Sequence, residues 1–406
     1  MRTRFTWIVA ILALVAIGVL MACGTKYNSS YNGLVVVPTQ GNAVMETFSL
    51  NLGTGSVAQI NNAAGPPTNG VPTSVILDPA GAFAYVIVQA NPAVAGSVTG
   101  IQTFQVASDG KLTSIGTTPM TNPVAMAMDS AGKFLFVANG SEGTVSVFSI
   151  GSNASLTAVG LPTPLPLPTG GSNPSASALA VTPTVFPPQY SFCSGDAAPT
   201  TEDLYVTDSA NYVLLNYSVD LSTGALGPPM NSSTVQSVPT GAVPSGVAVD
   251  PCVRFAYVAN ASPNNSVSAY TICSAMNLLL QPPCQNADYS LHPITGSPYP
   301  AGDNPGPMAV DPFGTTLYVV DTGSSVSGQI SGYVISSTTG SLTAMTPVAT
   351  GSGPNSIAIR SDGIWMFVAN LNSQTVSQYA ITPATGILTP QPAISTFNSP
   401  SGVAVK

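Results

Sequence analysis

The stretch Val243–Ile272 reads VPSGVAVDPCVRFAYVANASPNNSVSAYTI, and its parts decide the fold. A run of small apolar residues, GVAVD, leads into a turn of the DPxG type. In that turn Pro presets φ and, in sister segments such as Asp311–Gly314, Gly accepts a positive φ. The next run, FAYVAN, is aromatic and β-branched, the composition of a strand. A polar loop separates it from a third strand, SVSAYTI. No segment has a period of 3.6, so almost no helix is expected.

The same order of parts recurs along the chain. It is seen in NPVAMAMDSAGKFLFVANGSEGTVSVFSI from Asn122, NPGPMAVDPFGTTLYVVDTGSSVSGQISGYVI from Asn304 and GPNSIAIRSDGIWMFVANLNSQTVSQYAI from Gly353. Two diverged units start at Pro72 (PTSVILDPAGAFAYVIV) and Pro174 (PSASALAVTP, continuing as LYVTD at Leu204). Each unit opens with a Pro, at 72, 123, 174, 244, 305, 354 and 400, giving spacings of 51, 51, 70, 61, 49 and 46 residues. A Thr-Gly or Asp-Gly turn then leads to a fourth strand, as in STTGSLTAM at Ser337. Four antiparallel strands at this period predict propeller blades. Six openings are followed by full units, and the seventh yields only SGVAVK. Residues 34–60 read as strands two to four without a first. The final strand is therefore expected to complete the N-terminal sheet, closing an all-β ring of seven blades without an open edge. Ala127, Ala180, Ala248, Ala309, Ala358 and Ala404 recur at one position of the first strand, which predicts crowding where these strands converge on an axis.

Composition narrows the function. Only 6% of the 406 residues are charged, with 8 Lys and Arg against 16 Asp and Glu. Without Arg2 and Arg4, which lie in a segment expected to be removed, six cations face sixteen acids, a net charge of −10. Nucleic-acid binding needs clustered cations and is not expected. A hydrophobic content of 44% argues against disorder.

Residues 1–22 carry two arginines, then an uninterrupted apolar stretch from Ile8 to Leu20, the grammar of a secretory signal. The ending Leu20-Met21-Ala22-Cys23 resembles the lipobox of bacterial lipoproteins, in which the Cys is lipidated and becomes the new N-terminus. Met21 is an uncommon occupant, and an ordinary signal peptide or a retained anchor are the alternatives. The resemblance implies an extracytoplasmic protein held to the envelope membrane through Cys23, with residues 23–32 as a tether and 33–406 as one propeller. Beyond this segment no apolar run approaches the roughly 20 residues of a membrane helix. Four cysteines remain, and outside the cytoplasm an even count favours disulfides. Of three possible pairings, Cys193–Cys252 and Cys273–Cys284 are expected, because the first two fall in strand one-to-two connections of adjacent blades and the second two flank one insertion.

The DPxG turn, the FVAN/YVAN/YVVD strand and the TVSxY strand resemble the lactonase-type and YVTN-type seven-bladed propellers over about residues 33–406. That family includes 6-phosphogluconolactonases, carboxymuconate-lactonising enzymes and many surface proteins without an assigned reaction. The resemblance implies ligand binding on the face where second strands end. Candidate residues there are Asn139, Asp208, Asn260, Asp321 and Asn370 at strand ends, with Glu142 and Asp303 in loops. The alternative for the strand-end set is local: Asn and Asp cap the following turn through side-chain to backbone hydrogen bonds.

No catalytic set emerges. Lys111, Lys133, Arg254 and Arg360 map to the opposite face, away from any phosphate bound at the candidate site. His292, the only histidine, starts an outermost strand, far from the axis, so no Ser-His-Asp triad is expected, and no GxSxG elbow is present. The His, Arg and Glu that the resemblance implies for a lactonising site cannot be placed. Glu46 replaces the Ser found at 146, 268, 331 and 377. No metal site and no cofactor are expected. The favoured reading is a monomeric, membrane-anchored propeller that binds a small ligand or an envelope protein. A lactone hydrolase and a structural envelope protein are the alternatives.

Overall fold

The computed structural model describes residues 33–60, 65–183, 202–229, 237–274, 284, 288–323, 327–396 and 398–406. The expected signal segment 1–22, Cys23, the tether 23–32 and Cys193 lie outside these residues. Seven antiparallel sheets are arranged in chain order, and no described residue is helical. Blade 1 is built on Gly33–Thr39 and Val44–Leu50, and blade 2 runs from Val71–Leu77 to Leu112–Pro119. Blades 3 to 7 begin with Pro123–Met128, Ala176–Val181, Pro244–Val249, Pro305–Val310 and Pro354–Ile359. In these five blades the outer strand is split into two short pieces, both paired with the third strand.

The ring closes as the repeat arithmetic predicts. Ala404–Val405 is the innermost strand of blade 1, with Val35 opposite Val405 and Val36 opposite Ala404. The seven innermost strands contact one another in sequence around the axis. Between blades lie seven hydrophobic clusters, one at each junction. Second strands are buried on both faces, so they read as continuous apolar runs rather than alternating ones. Tyr85, Phe136, Tyr205, Tyr257, Tyr318 and Phe367 hold one position of this strand and are fully buried. Each such ring contributes on the order of 2 kcal/mol by area.

Tyrosine hydroxyls stitch neighbouring blades. Tyr257 and Tyr318 donate to the carbonyls of Gly340 and Gly386 in the next blade's three-to-four turn. Tyr270, Tyr333 and Tyr379 donate to Pro239, Pro300 and Ala349 in the preceding blade. The turn glycine is required twice over. At Gly340, φ is 68°, and a Cβ would collide with the Phe255 ring.

Below four of the first strands an Asp organises the turn. The Oδ1 atoms of Asp78, Asp129, Asp250 and Asp311 accept amides from the start of the second strand. In blade 4 Thr182 takes this place, and its hydroxyl accepts the Asp203 amide at 2.8 Å. In blade 5 Val253 stands where other turns have Gly, at φ 57°. That conformation is costly for a β-branched residue, and its side chain is buried in the cluster of Tyr205 and Leu291.

The alanine expectation needs a correction. Ala309, Ala358 and Ala404 do border the axial channel, but so do Ile76, Ile357 and Ile359, in a space of about 700 Å³. A ring of seven inner strands is wide enough for branched side chains. Ala248 and Ala404 belong to the clusters between blades, where neighbouring inner strands approach.

Candidate functional site

Second strands all finish at one end of the ring, here the top, and the Asp-centred turns lie at the bottom. Among the described residues every Lys and Arg is at the bottom: Lys111, Lys133, Arg254, Arg360 and Lys406. Most are engaged there. Lys111 pairs with Asp109, Arg254 with Asp250 and Arg360 with Asp362, and the Lys406 ammonium donates to the Ala80 carbonyl. The top carries Glu142, Asp208, Asp303 and Asp321 and no described cation.

The strand-end set is deeper than the sequence suggested. Asn139 is 4% exposed, and Asp208, Asn260, Asp321 and Asn370 are fully buried. Alternation along the strand turns these side chains into the blade, where third-strand hydroxyls meet them. Asn139 Nδ2 donates to Thr144 and Ser146, Asn260 Nδ2 to Ser266 and Ser268, and Asn370 Nδ2 to Thr375 and Ser377. Asp208 is saturated in another way. Its Oδ1 accepts the amides of Ser175, Ala210 and Asn211, and its Oδ2 accepts Asn211 Nδ2.

Two pairs open onto cavities. Asn139 and the exposed Glu142 line a space of about 380 Å³ with Met120 and Pro162. Asp321 and the exposed Asp303 line one of about 480 Å³ with Gly302, Gly328 and Gln329. Asp208, Asn260 and Asn370 join neither. Burial pushes the Asp321 carboxyl up to about 6, opposed by hydrogen bonds from Ser331, Gln329 and the Gly302 amide and reinforced by the charge of Asp303. Gln329 and Gly302 escaped the sequence reading. Superposing the repeats points to them, because Gly302 matches Gly351 and Gly241, each of which abuts a strand-end Asn.

His292 lies in the outer strand Leu291–Pro293 of blade 5. Ser290 Oγ stands between Asp288 Oδ1 (2.6 Å) and His292 Nε2 (3.0 Å). A hydrolytic triad places the imidazole between carboxylate and hydroxyl, so this order does not activate the serine. Glu46 is 1% exposed inside blade 1. Cys273 and Cys284 form the expected disulfide, and Cys252 is also disulfide-bonded. Among the described residues no three His, Cys, Asp or Glu side chains form a group able to hold a metal ion, and no helix is long and apolar enough to cross a membrane.

A buried acidic pair at the bottom of blade 4 was also missed. Glu202 and Asp203 are fully buried at the start of the second strand. Asp203 occupies the position of Phe134, Phe255 and Trp365. Burial raises Glu202 to about 8 and Asp203 to about 7.

The ring, its closure and the turn chemistry define a class, and the comparisons agree with it. The sequence profile of the lactonase seven-bladed beta-propeller family matches residues 30–175 and 196–406. The chain belongs to that family. Similar solved structures include a candidate 6-phosphogluconolactonase from Bacteroides fragilis. It is 19% identical, with a TM-score of 0.70 over 94% of this chain and 99% of that one. A candidate 6-phosphogluconolactonase from Bacteroides uniformis, also 19% identical, has a TM-score of 0.70 over 92% and 99%. A periplasmic gluconolactonase from Pseudomonas aeruginosa is 17% identical, with a TM-score of 0.69 over 92% and 98%. At these identities the likeness is one of fold. No curated protein matches the sequence.

Proposed function

We propose that this propeller is an extracytoplasmic, lipid-anchored protein that binds a small ligand or an envelope partner through its top face without turning it over. The observation that carries this reading is the separation of charge along the axis. The described cations are at the bottom and largely engaged by carboxylates or carbonyls, while the top offers carboxylates, amides and hydroxyls. Such a face suits neutral hydroxyl-rich or cationic groups and disfavours a phosphorylated lactone, which needs Arg or Lys. The cysteine pairing at 273 and 284 and the lipobox-like ending at Cys23 support an oxidising compartment.

The second reading is a lactone hydrolase with an unusual site, favoured by membership of a lactonase family. Purified mature protein assayed against plain, phosphorylated and carboxylated lactones separates the two. The expected result is no turnover above the spontaneous rate. Turnover that disappears in Asp208→Ala or Asp321→Ala would overturn the binding reading.

A further inference from the structure

Aligning blade 6 with blade 7 exposes three changes at the top, the first of which also sets it apart from blades 3 and 5. The strand-end Asn139, Asn260 and Asn370 become Asp321. Thr350, whose hydroxyl donates to Asn370 Oδ1 at 2.9 Å, becomes Ala301, which has no hydroxyl. Ser352 becomes Asp303. Blade 6 thus gains two carboxylates and loses one donor at a single spot.

The consequence is visible in the hydrogen bonds. Asp321 Oδ2 accepts Ser331 Oγ at 2.6 Å and Gln329 Nε2 at 3.3 Å. Asp321 Oδ1 is buried and has no hydrogen-bond partner. Asp208, the same residue type at the matching position of blade 4, meets four donors. A buried carboxylate oxygen left unpaired is costly unless something positive supplies the missing contact. No described Lys or Arg lies at this end. Gly302 leaves room beside the carboxylate, since a Cβ there would collide with Asp321 Oδ2 and Gln329 Nε2.

We propose that the pocket between Asp303 and Asp321 binds a divalent, oxygen-preferring cation of the calcium type. Asp321 Oδ1 and the Asp303 carboxylate would be its charged ligands. The remaining positions would come from the Gln329 amide oxygen on the same wall and from water. Calcium accepts such mixed oxygen sets, and two carboxylates fit the weak range of extracellular modules, with Kd about 10⁻⁴ to 10⁻³ M. The idea goes beyond the top-face ligand reading and stands if that reading fails, because ion binding requires neither a lactone nor a partner.

The test uses the full mature chain, with Ca²⁺ followed by calorimetry and Tb³⁺ by luminescence sensitised through tyrosine. Tyr333, which is electrostatically coupled to Asp321, is the local antenna. Expected are one Tb³⁺ site displaced by Ca²⁺ and a rise in Tm with millimolar Ca²⁺. Asp321→Asn restores the residue of three sibling blades, so it should fold, and it should weaken binding at least tenfold. Asp303→Asn, on an exposed loop, should weaken it severalfold and carries the test if Asp321→Asn does not fold. Absence of Ca²⁺ and Tb³⁺ binding, or unchanged affinity in these variants, would overturn the assignment.

Discussion

Leu34 and Lys406 exchange two backbone hydrogen bonds: the Lys406 amide donates to the Leu34 carbonyl at 2.9 Å and the Leu34 amide to the Lys406 carbonyl at 3.2 Å. The last residue of the chain is thereby held to the second residue of the first described strand. Val403 and Ala404 are buried beside this junction, Val403 against blade 7 and Ala404 against blade 2.

Deleting residues 399–406 should therefore open the ring. The loss includes the ladder to Gly33–Thr39 and burial of two apolar side chains, a destabilisation of about 3–5 kcal/mol. Leu34–Val37 would become an exposed, flat, apolar edge. Thermal melts should shift down, and size-exclusion chromatography should show higher species. A truncated protein that melts like the full chain and stays monomeric would disprove the closure.

The tyrosine stitches allow a paired comparison. Tyr257→Phe and Tyr318→Phe remove hydroxyls bonded to Gly340 and Gly386, and each should cost about 0.5–1.5 kcal/mol in urea unfolding. Tyr85 holds the matching position in blade 2, but its hydroxyl has no partner. Tyr85→Phe should be neutral or slightly stabilising. Equal losses at all three positions would show that ring packing alone matters.

The Asp250 carboxylate joins three turn amides to the Arg254 guanidinium, at 2.9 Å from Nε and 2.8 Å from Nη2. Asp250→Ala removes the acceptor of these amides and the charge partner of a largely buried guanidinium, which keeps its bond to the Ser337 carbonyl, and should cost about 3–5 kcal/mol. Asp250→Asn can retain part of the amide capping and should cost less. The ratio of the two losses, read from denaturant midpoints, separates capping from charge pairing.

Glu202 and Asp203 make stability depend on pH in the direction opposite to salt-bridged acids. Their folded pKa values, about 8 and about 7, lie above the ordinary carboxylate range. Between roughly pH 4 and 8 the folded chain binds more protons than the unfolded one, so stability falls as pH rises across that window. The loss should reach a few kcal/mol. Glu202→Gln should leave stability near that of the parent at pH 5 and raise it at pH 8.5. A parent whose Tm is flat between pH 5 and 8.5 would contradict this.

Repetition made much of the fold legible. A Pro-led unit whose second strand is apolar throughout has to be covered on both sides, and only neighbouring units can cover it. The incomplete first unit and the surplus strand at Gly402–Lys406 specify closure in the same way. The strand-end residues were legible as a set but not in depth. Whether Asn260 faces solvent or Ser266 and Ser268 depends on how the third strand and its loop pack beside it, which one strand's letters do not contain. Asp321 is the sharpest case. Its letter differs from Asn370 by one atom type, yet Asn370 Oδ1 meets the Thr350 hydroxyl while Asp321 Oδ1 meets no donor.

The sequence by itself determined the number of blades, the order of strands, the turn chemistry and the way the chain closes. Each of these follows from local periodicity and from which segments lack a partner. Only the tertiary structure decided which polar side chains are satisfied. Asp208 meets the Ser175 amide from a loop distant along the chain as well as donors from the adjacent Ala210 and Asn211, whereas the loop facing Asp321 Oδ1 brings no hydroxyl. Such meetings are fixed by how neighbouring strands and loops pack, and that packing sets each carboxylate's burial and hydrogen bonding.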